Sequence, residues 1–98
     1  MNEGEISTIK LTSGEELVAK IMKIADGMLV IKQPVSIAPG PQSPQLVPSM
    51  FTAELDKDVI LYASAISMIA PTRSDVKTSY IKATSGIDVP PEKKILVG

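Results

Sequence analysis

Three lysines, Lys20, Lys23 and Lys32, and one tyrosine, Tyr62, are the side chains of this chain best suited to meeting a polyanion. Ammonium groups neutralise phosphates and release their counterions, and an aromatic ring stacks on a base for about 1–3 kcal/mol. Each has a plainer reading. Lys20 stands between Val18 and Met22, where a lysine stem can snorkel along a partly covered face. Tyr62 is one of three aromatics, with Phe51 and Tyr80, and reads more readily as a core or interface ring.

Catalysis has poorer material. The chain contains no histidine and no cysteine, the most frequent general base and the strongest common nucleophile. Glu15 and Glu16 are neighbours, so in a strand they point to opposite faces and cannot share a substrate. Asp56 and Asp58 would share a face, but around Lys57 they read as a solvated hairpin tip. The six glycines are scattered and build no phosphate-cradling loop. The expectation is a protein with no catalytic centre, no metal and no cofactor, whose work is binding or assembly.

Composition narrows the class further. At 98 residues the chain is a single domain, residues 1–98, with room for one core. With aromatics at 3%, that core must be aliphatic and filled with methionine. Ten basic residues against eleven acidic ones argue against a generally basic nucleic-acid binder, while leaving a local patch open. Arg73 is the only arginine. The absence of cysteine excludes a disulfide framework and suits the cytoplasm, as does an N-terminus too polar and acidic for a secretory signal. No apolar run approaches the roughly 20 residues that span a bilayer, so no membrane partner is expected.

The elements that must carry the candidate side chains read as strands. Ile9 and Leu11 alternate, as do Leu17, Ala19 and Ile21, and Ser13-Gly14 and Asp26-Gly27 are hairpin signals. The pattern predicts strands over residues 6–12, 15–24 and 28–32, after a short acidic lead expected to fray. Strand two is apolar on both faces, with Val18, Met22 and Ile24 opposite the first set, so it must be covered on both sides or bend. Five prolines between Pro34 and Pro48 make residues 39–44 an irregular loop, flanked by Val35-Ser36-Ile37 and Leu46-Val47, which could pair. A fourth strand is expected over Ser49–Leu55. Thr72 and Asp75 have capping-box spacing, and Val76, Tyr80 and Ala83 form a stripe, predicting a helix over 74–84 stopped near Gly86. Beyond it, IDVPPEKKILVG reads as an extended tail apolar enough to dock.

The stretch Val59–Ala70 is twelve residues without a charge or a proline. Left exposed it would aggregate, so it must lie inside a sheet or pair with another copy of the chain. Val59, Leu61, Ile66, Met68 and Ile69 are the candidate residues of that interface. Pairing one free edge with the other edge of a neighbour is head-to-tail, and in a soluble protein it must close into a ring.

The residues also carry a family likeness. Leu11-x-x-Gly14-x-x-Leu17-x-Ala19-x-Ile21-x-x-Ile24-Ala25-x-x-Met28-Leu29 resembles the first signature of the Sm-like (LSm) family, and Ile60-Leu61-Tyr62-Ala63-Ser64-x-Ile66 matches the second in outline. The resemblance spans residues 9–70. A helix placed after the barrel and the pattern ATSGIDVPP are similar to small Sm-like proteins encoded by tailed phages of marine cyanobacteria. The likeness implies an all-β fold: a strongly bent five-stranded open barrel of SH3-like type over residues 6–70, with the C-terminal helix and tail over 71–98. It also implies a closed homo-oligomeric ring of about five to seven subunits and binding of single-stranded RNA near Asp26, Met28, Tyr62 and Ser64. At the family's RNA-binding positions this chain departs from the pattern. The signature aspartate falls on Ala25, one residue before Asp26, the asparagine on Leu29, and the Arg-Gly-Asn on Tyr62-Ala63-Ser64. Two functions follow as expectations, a ring that binds single-stranded RNA or DNA, and an assembly ring that binds protein alone. A monomeric OB-type or SH3-like barrel is the alternative fold.

Overall fold

The computed structural model describes residues 1–38, 41, 45–54 and 56–85. Most of the expected proline loop, the stop at Gly86 and the tail lie outside them. The described chain is a curved, open antiparallel sheet with one helix. Its strands are β1 (Ile6–Leu11), β2 (Glu16–Ala25), β3 (Met28–Ala38), β4 (Gln45–Pro48), β5 (Asp58–Tyr62) and β6 (Ile66–Pro71), followed by α1 (Ser74–Ser85). The all-β expectation and the helix hold. The sheet has six strands in place of the expected five, in the order β4-β3-β2-β1-β6, with β5 also on β3.

The β1–β2 hairpin turns at Gly14, whose φ of 96° is open to glycine and strained for other residues. A β-carbon there would meet no atom within 4 Å, so the cost of a side chain is backbone strain alone. Gly14→Val should cost about 1 kcal/mol or more, lowering Tm by about 4–8 °C per kcal/mol in a domain this size. Ser13→Ala should leave Tm nearly unchanged; equal melting of parent and Gly14→Val would show the turn to be relaxed.

Alternation puts Ile9, Leu17, Ala19, Ile21, Leu29 and Ile31 into one core, with Leu11, Val59, Leu61, Ile66 and Ile69 packed against it. Ser7 is buried among them, opposite Ala19. The acidic lead is held in place, contrary to expectation. Ile21 donates its amide to the Glu5 carbonyl at 2.8 Å, and Ile24 donates to a Glu3 carboxylate oxygen at 3.1 Å. The reason is backbone accounting: β2 outruns β1 beyond Ile6, and the lead supplies the partners its edge would lack.

β3 runs through Pro34 to Ala38, well past the expected end at Lys32. A bulge allows it. Lys20 opposes Lys32 and Val18 opposes Val35, so β3 holds one extra residue there, and Gln33 takes a φ of 53°. The bend lets a single edge of β3 serve two partners, β5 along Met28–Lys32 and β4 along Val35–Ala38. The flank pairing of residues 35–37 with 46–47 is thus formed. Residues 49–54 are a bent link and no strand, because the edge they would join is already occupied on both sides of the bulge.

Ala63–Ala65 form a 3-10 turn between β5 and β6. Since β5 pairs with β3 and β6 with β1, three residues join strands from the two ends of the β3-β2-β1 run, and the sheet must bend back over its core. The turn is tied to both hairpins, with the Ala63 amide on the Gly27 carbonyl at 2.9 Å and the Thr12 amide on the Ala65 carbonyl at 2.8 Å.

The helix begins one residue later than a Thr72 cap would place it. The Arg73 carbonyl accepts the Lys77 amide at 2.8 Å, and Thr72 bonds the Thr8 hydroxyl at 2.9 Å. Asp75 binds the Arg73 guanidinium at 2.6 and 3.0 Å, and that hydrogen bond holds its carboxyl down at about 2. Tyr80 pins the helix to the sheet. It is buried, and its hydroxyl donates to the Lys32 and Gln33 carbonyls at 3.1 and 2.9 Å, beside the bulge. Tyr80→Phe leaves those carbonyls without this donor and should cost about 1–3 kcal/mol by chemical denaturation. Burial pushes the Tyr80 phenol up to about 12, against about 10 in an unfolded chain. Its neutral form is therefore favoured by folding, a contribution complete below pH 10 and lost as pH rises toward 12. The phenylalanine variant should show a shallower alkaline loss of stability.

Candidate nucleic-acid face

Lys20, Lys23 and Lys32 reach one face of the sheet, the one turned away from the core. Lys20 opposes Lys32, which opposes Asp58; the next row is Lys23, Val30 and Ile60; the third pairs Met28 with Tyr62. Core rows alternate with these, Ile21-Ile31-Val59 and Leu29-Leu61. Simple alternation along β2 would send Lys23 inward with Ile21. A second bulge, two residues (Met22 and Lys23) against Val30, returns it to the outer face beside Lys20.

Like charges opposite one another repel. Lys32 is relieved by Asp58, Nζ to Oδ1 at 3.9 Å. Among the described residues Lys20 and Lys23 form no ion pair, and both are exposed. Apolar side chains lie between and beside them: Ile60 is 52% and Tyr62 59% exposed, so Tyr62 is no core ring of the protomer. Met28 and Tyr62 stand opposite each other at one end of this face, and there the Ala63–Gly27 bond joins the β2–β3 turn, which carries Asp26, to the 3-10 turn, which carries Ser64. The arrangement can neutralise phosphates and stack a base.

The candidate interface residues divide. Val59, Leu61, Ile66 and Ile69 turn into the protomer's own core, whereas Met68 is 63% exposed. What β5 and β6 present outward is backbone: among the described residues β5 pairs only with β3 and β6 only with β1. Sequence reading passed over Ile60 on the outer face and Tyr80 as the helix anchor. Ile60 was legible from its alternation with Val59 and Leu61. Among the described residues no group of three or more acidic side chains could hold a metal ion, and no helix is long and apolar enough to cross a membrane.

No protein-family model matches the chain, and no curated protein matches it significantly.

Proposed function

We propose that this chain is a non-enzymatic Sm-like ring protein, a strongly bent open barrel whose copies join β5 of one to β6 of the next, and that the ring binds single-stranded RNA or DNA on its lysine-bearing face. One observation carries the assembly: among the described residues β5 and β6, linked by the three-residue turn, each keep an unpaired edge, and the only charge on either strand is Asp58. Such edges pair with another chain unless something blunts them. Joining unlike edges is head-to-tail, and a ring of about five to seven subunits, the count the resemblance implies, closes both of these edges. Ligand binding rests on Lys20, Lys23 and Lys32 sharing a face with Tyr62.

The test is a titration with single-stranded RNA and DNA at two salt concentrations. Each neutralised phosphate on a single strand adds about 0.7 to the salt slope. Three lysines per contact should therefore make binding about twentyfold weaker for a fourfold rise in salt. Lys20→Glu with Lys23→Glu should abolish binding, and Tyr62→Ala should cost about 1–3 kcal/mol. A flat titration would sink nucleic-acid binding and favour the assembly ring that binds protein alone, for which exposed Ile60 and Tyr62 would be contacts.

A further inference from the structure

The three outer rows that bear the lysines divide their work between charge and ring. Along β3, Lys32 stands in the first row, Val30 in the second and Met28 in the third. Antiparallel strands rise about 3.4 Å per residue, so the rows follow one another at about 7 Å. Ammonium groups occupy the first row, with Lys20 and Lys32, and the second, with Lys23. The Tyr62 ring lies in the third row, about 7 Å from the nearest lysine row. The other side chains of the second and third rows are Val30, Ile60, Ala25 and Met28, all apolar. Base edges are read by arginine, asparagine, glutamine, serine or threonine, or by a lysine or carboxylate free to reach them. Among the described residues none of the first five stands on these rows, and Asp58, their one acid, is engaged by Lys32.

We propose that this face is blind to sequence: it takes a single strand, RNA or DNA alike, laid along β2 and β3, with phosphates on the first two rows and a base stacked on Tyr62. This blindness presupposes the nucleic-acid site proposed above, and it follows from what the rows hold and lack. Every base has a π-face, so a ring alone accepts all of them. Phosphates carry no sequence information and are the same on either sugar. Charge and packing set the strand's course. At the first row α1 closes the face, because Tyr80 is bonded to the Lys32 and Gln33 carbonyls. Asp58 turns phosphates away from the start of β5, which keeps the backbone over β2 and β3. At the far end the β2–β3 turn brings Asp26, a second acid, after the Tyr62 row, so that end suits a base better than a phosphate. Ile60 and Tyr62, 52% and 59% exposed, offer the base an apolar bed.

The test is a titration of the full chain with single-stranded homopolymers of one length, of U, C and A as RNA and of T, C and A as DNA, read by fluorescence anisotropy. The six affinities should agree within about tenfold, with one common salt slope. Tyr62→Ala should weaken all six alike, by about 5–150-fold, and leave the slope unchanged. Lys23→Gln should lower the slope by about 0.7 on all six. A preference above about tenfold for one base or one sugar overturns the proposal, as does a Tyr62→Ala loss confined to one base. If Asp26→Ala or Ser64→Ala abolished such a preference, the readout would lie in the turns beyond the third row. Failure to bind any of the six removes the site and the proposal with it, whereas binding with a preference leaves the site standing and removes only its blindness.

Discussion

Ile69→Glu is expected to unfold the protomer. Ile69 opposes Ile9, which is fully buried, and packs against the one core the domain has. A carboxylate on this half-buried position would lose much of its water with no cation in place to receive it, since Ile9 and its core neighbours are aliphatic. Burying an unpaired charge costs several kcal/mol even after relaxation, and domains of this size are stable by only about 5–15 kcal/mol. Circular dichroism should show no cooperative melt, or one displaced by tens of degrees. Met68→Lys, one residue away but on the exposed face, should change stability by no more than about 0.5 kcal/mol, as surface substitutions do. If Ile69→Glu melted with the parent, β6 would not be in the register described.

That contrast shows where sequence reading reaches and where it stops. Alternation on β1 and β2 was plain because both strands are regular where they bury Ile9, Leu17, Ala19 and Ile21, and period 2 leaves one arrangement that fills the core. Gly14 was legible because a hairpin reversal needs positive φ. The helix was nearly so, with Tyr80 in its stripe marking the buried side. What alternation does not reveal is where it breaks. The bulges at Gln33 and at Met22-Lys23 each shift the count by one, and no residue type announces them. The first carries β3 through Pro34 and opens a place for β4, which displaces the strand expected over residues 49–55. The second brings Lys23 round to Lys20, and without it the candidate face would hold two lysines. The cap failed for another reason: Thr72 found a better partner in Thr8, a residue distant in sequence and invisible to local spacing.

The bulge at Gln33 also organises the outer face. By accepting Tyr80 on its two carbonyls it anchors α1 over one half, over Val18 and beside the β3–β4 hairpin, and leaves the other half, with its lysines, uncovered. A loss of Tyr80 should therefore loosen α1 before it disturbs Lys20, Lys23 and Tyr62, which stand on strands held by the core.

The free edges set the largest effect expected on assembly. If β5 and β6 join between copies, the side chains flanking the junction are those on their outer faces, Ile60 and Tyr62 on one strand and Met68 on the other. The one charge on that face of β5, Asp58, stands at the strand's start and is engaged by Lys32; the rest carry none, and a charge is the device by which natural edges refuse a partner. Met68→Lys alone should weaken the junction, because a lysine can still swing away from an apolar neighbour. Ile60→Lys with Met68→Lys places like charges on both sides of the same seam, where directly opposed they repel, and repeats the conflict at every junction of the ring. The double variant should run as a folded or aggregation-prone protomer with the mass of one chain, while the parent runs as a closed oligomer. Light scattering after size exclusion reads both. Because Ile60 and Met68 are exposed, the double variant should keep its far-ultraviolet dichroism, which separates loss of assembly from loss of fold. A monodisperse monomer of the unmodified chain at micromolar concentration would sink the ring, and with it the reading of β5 and β6 as mating edges.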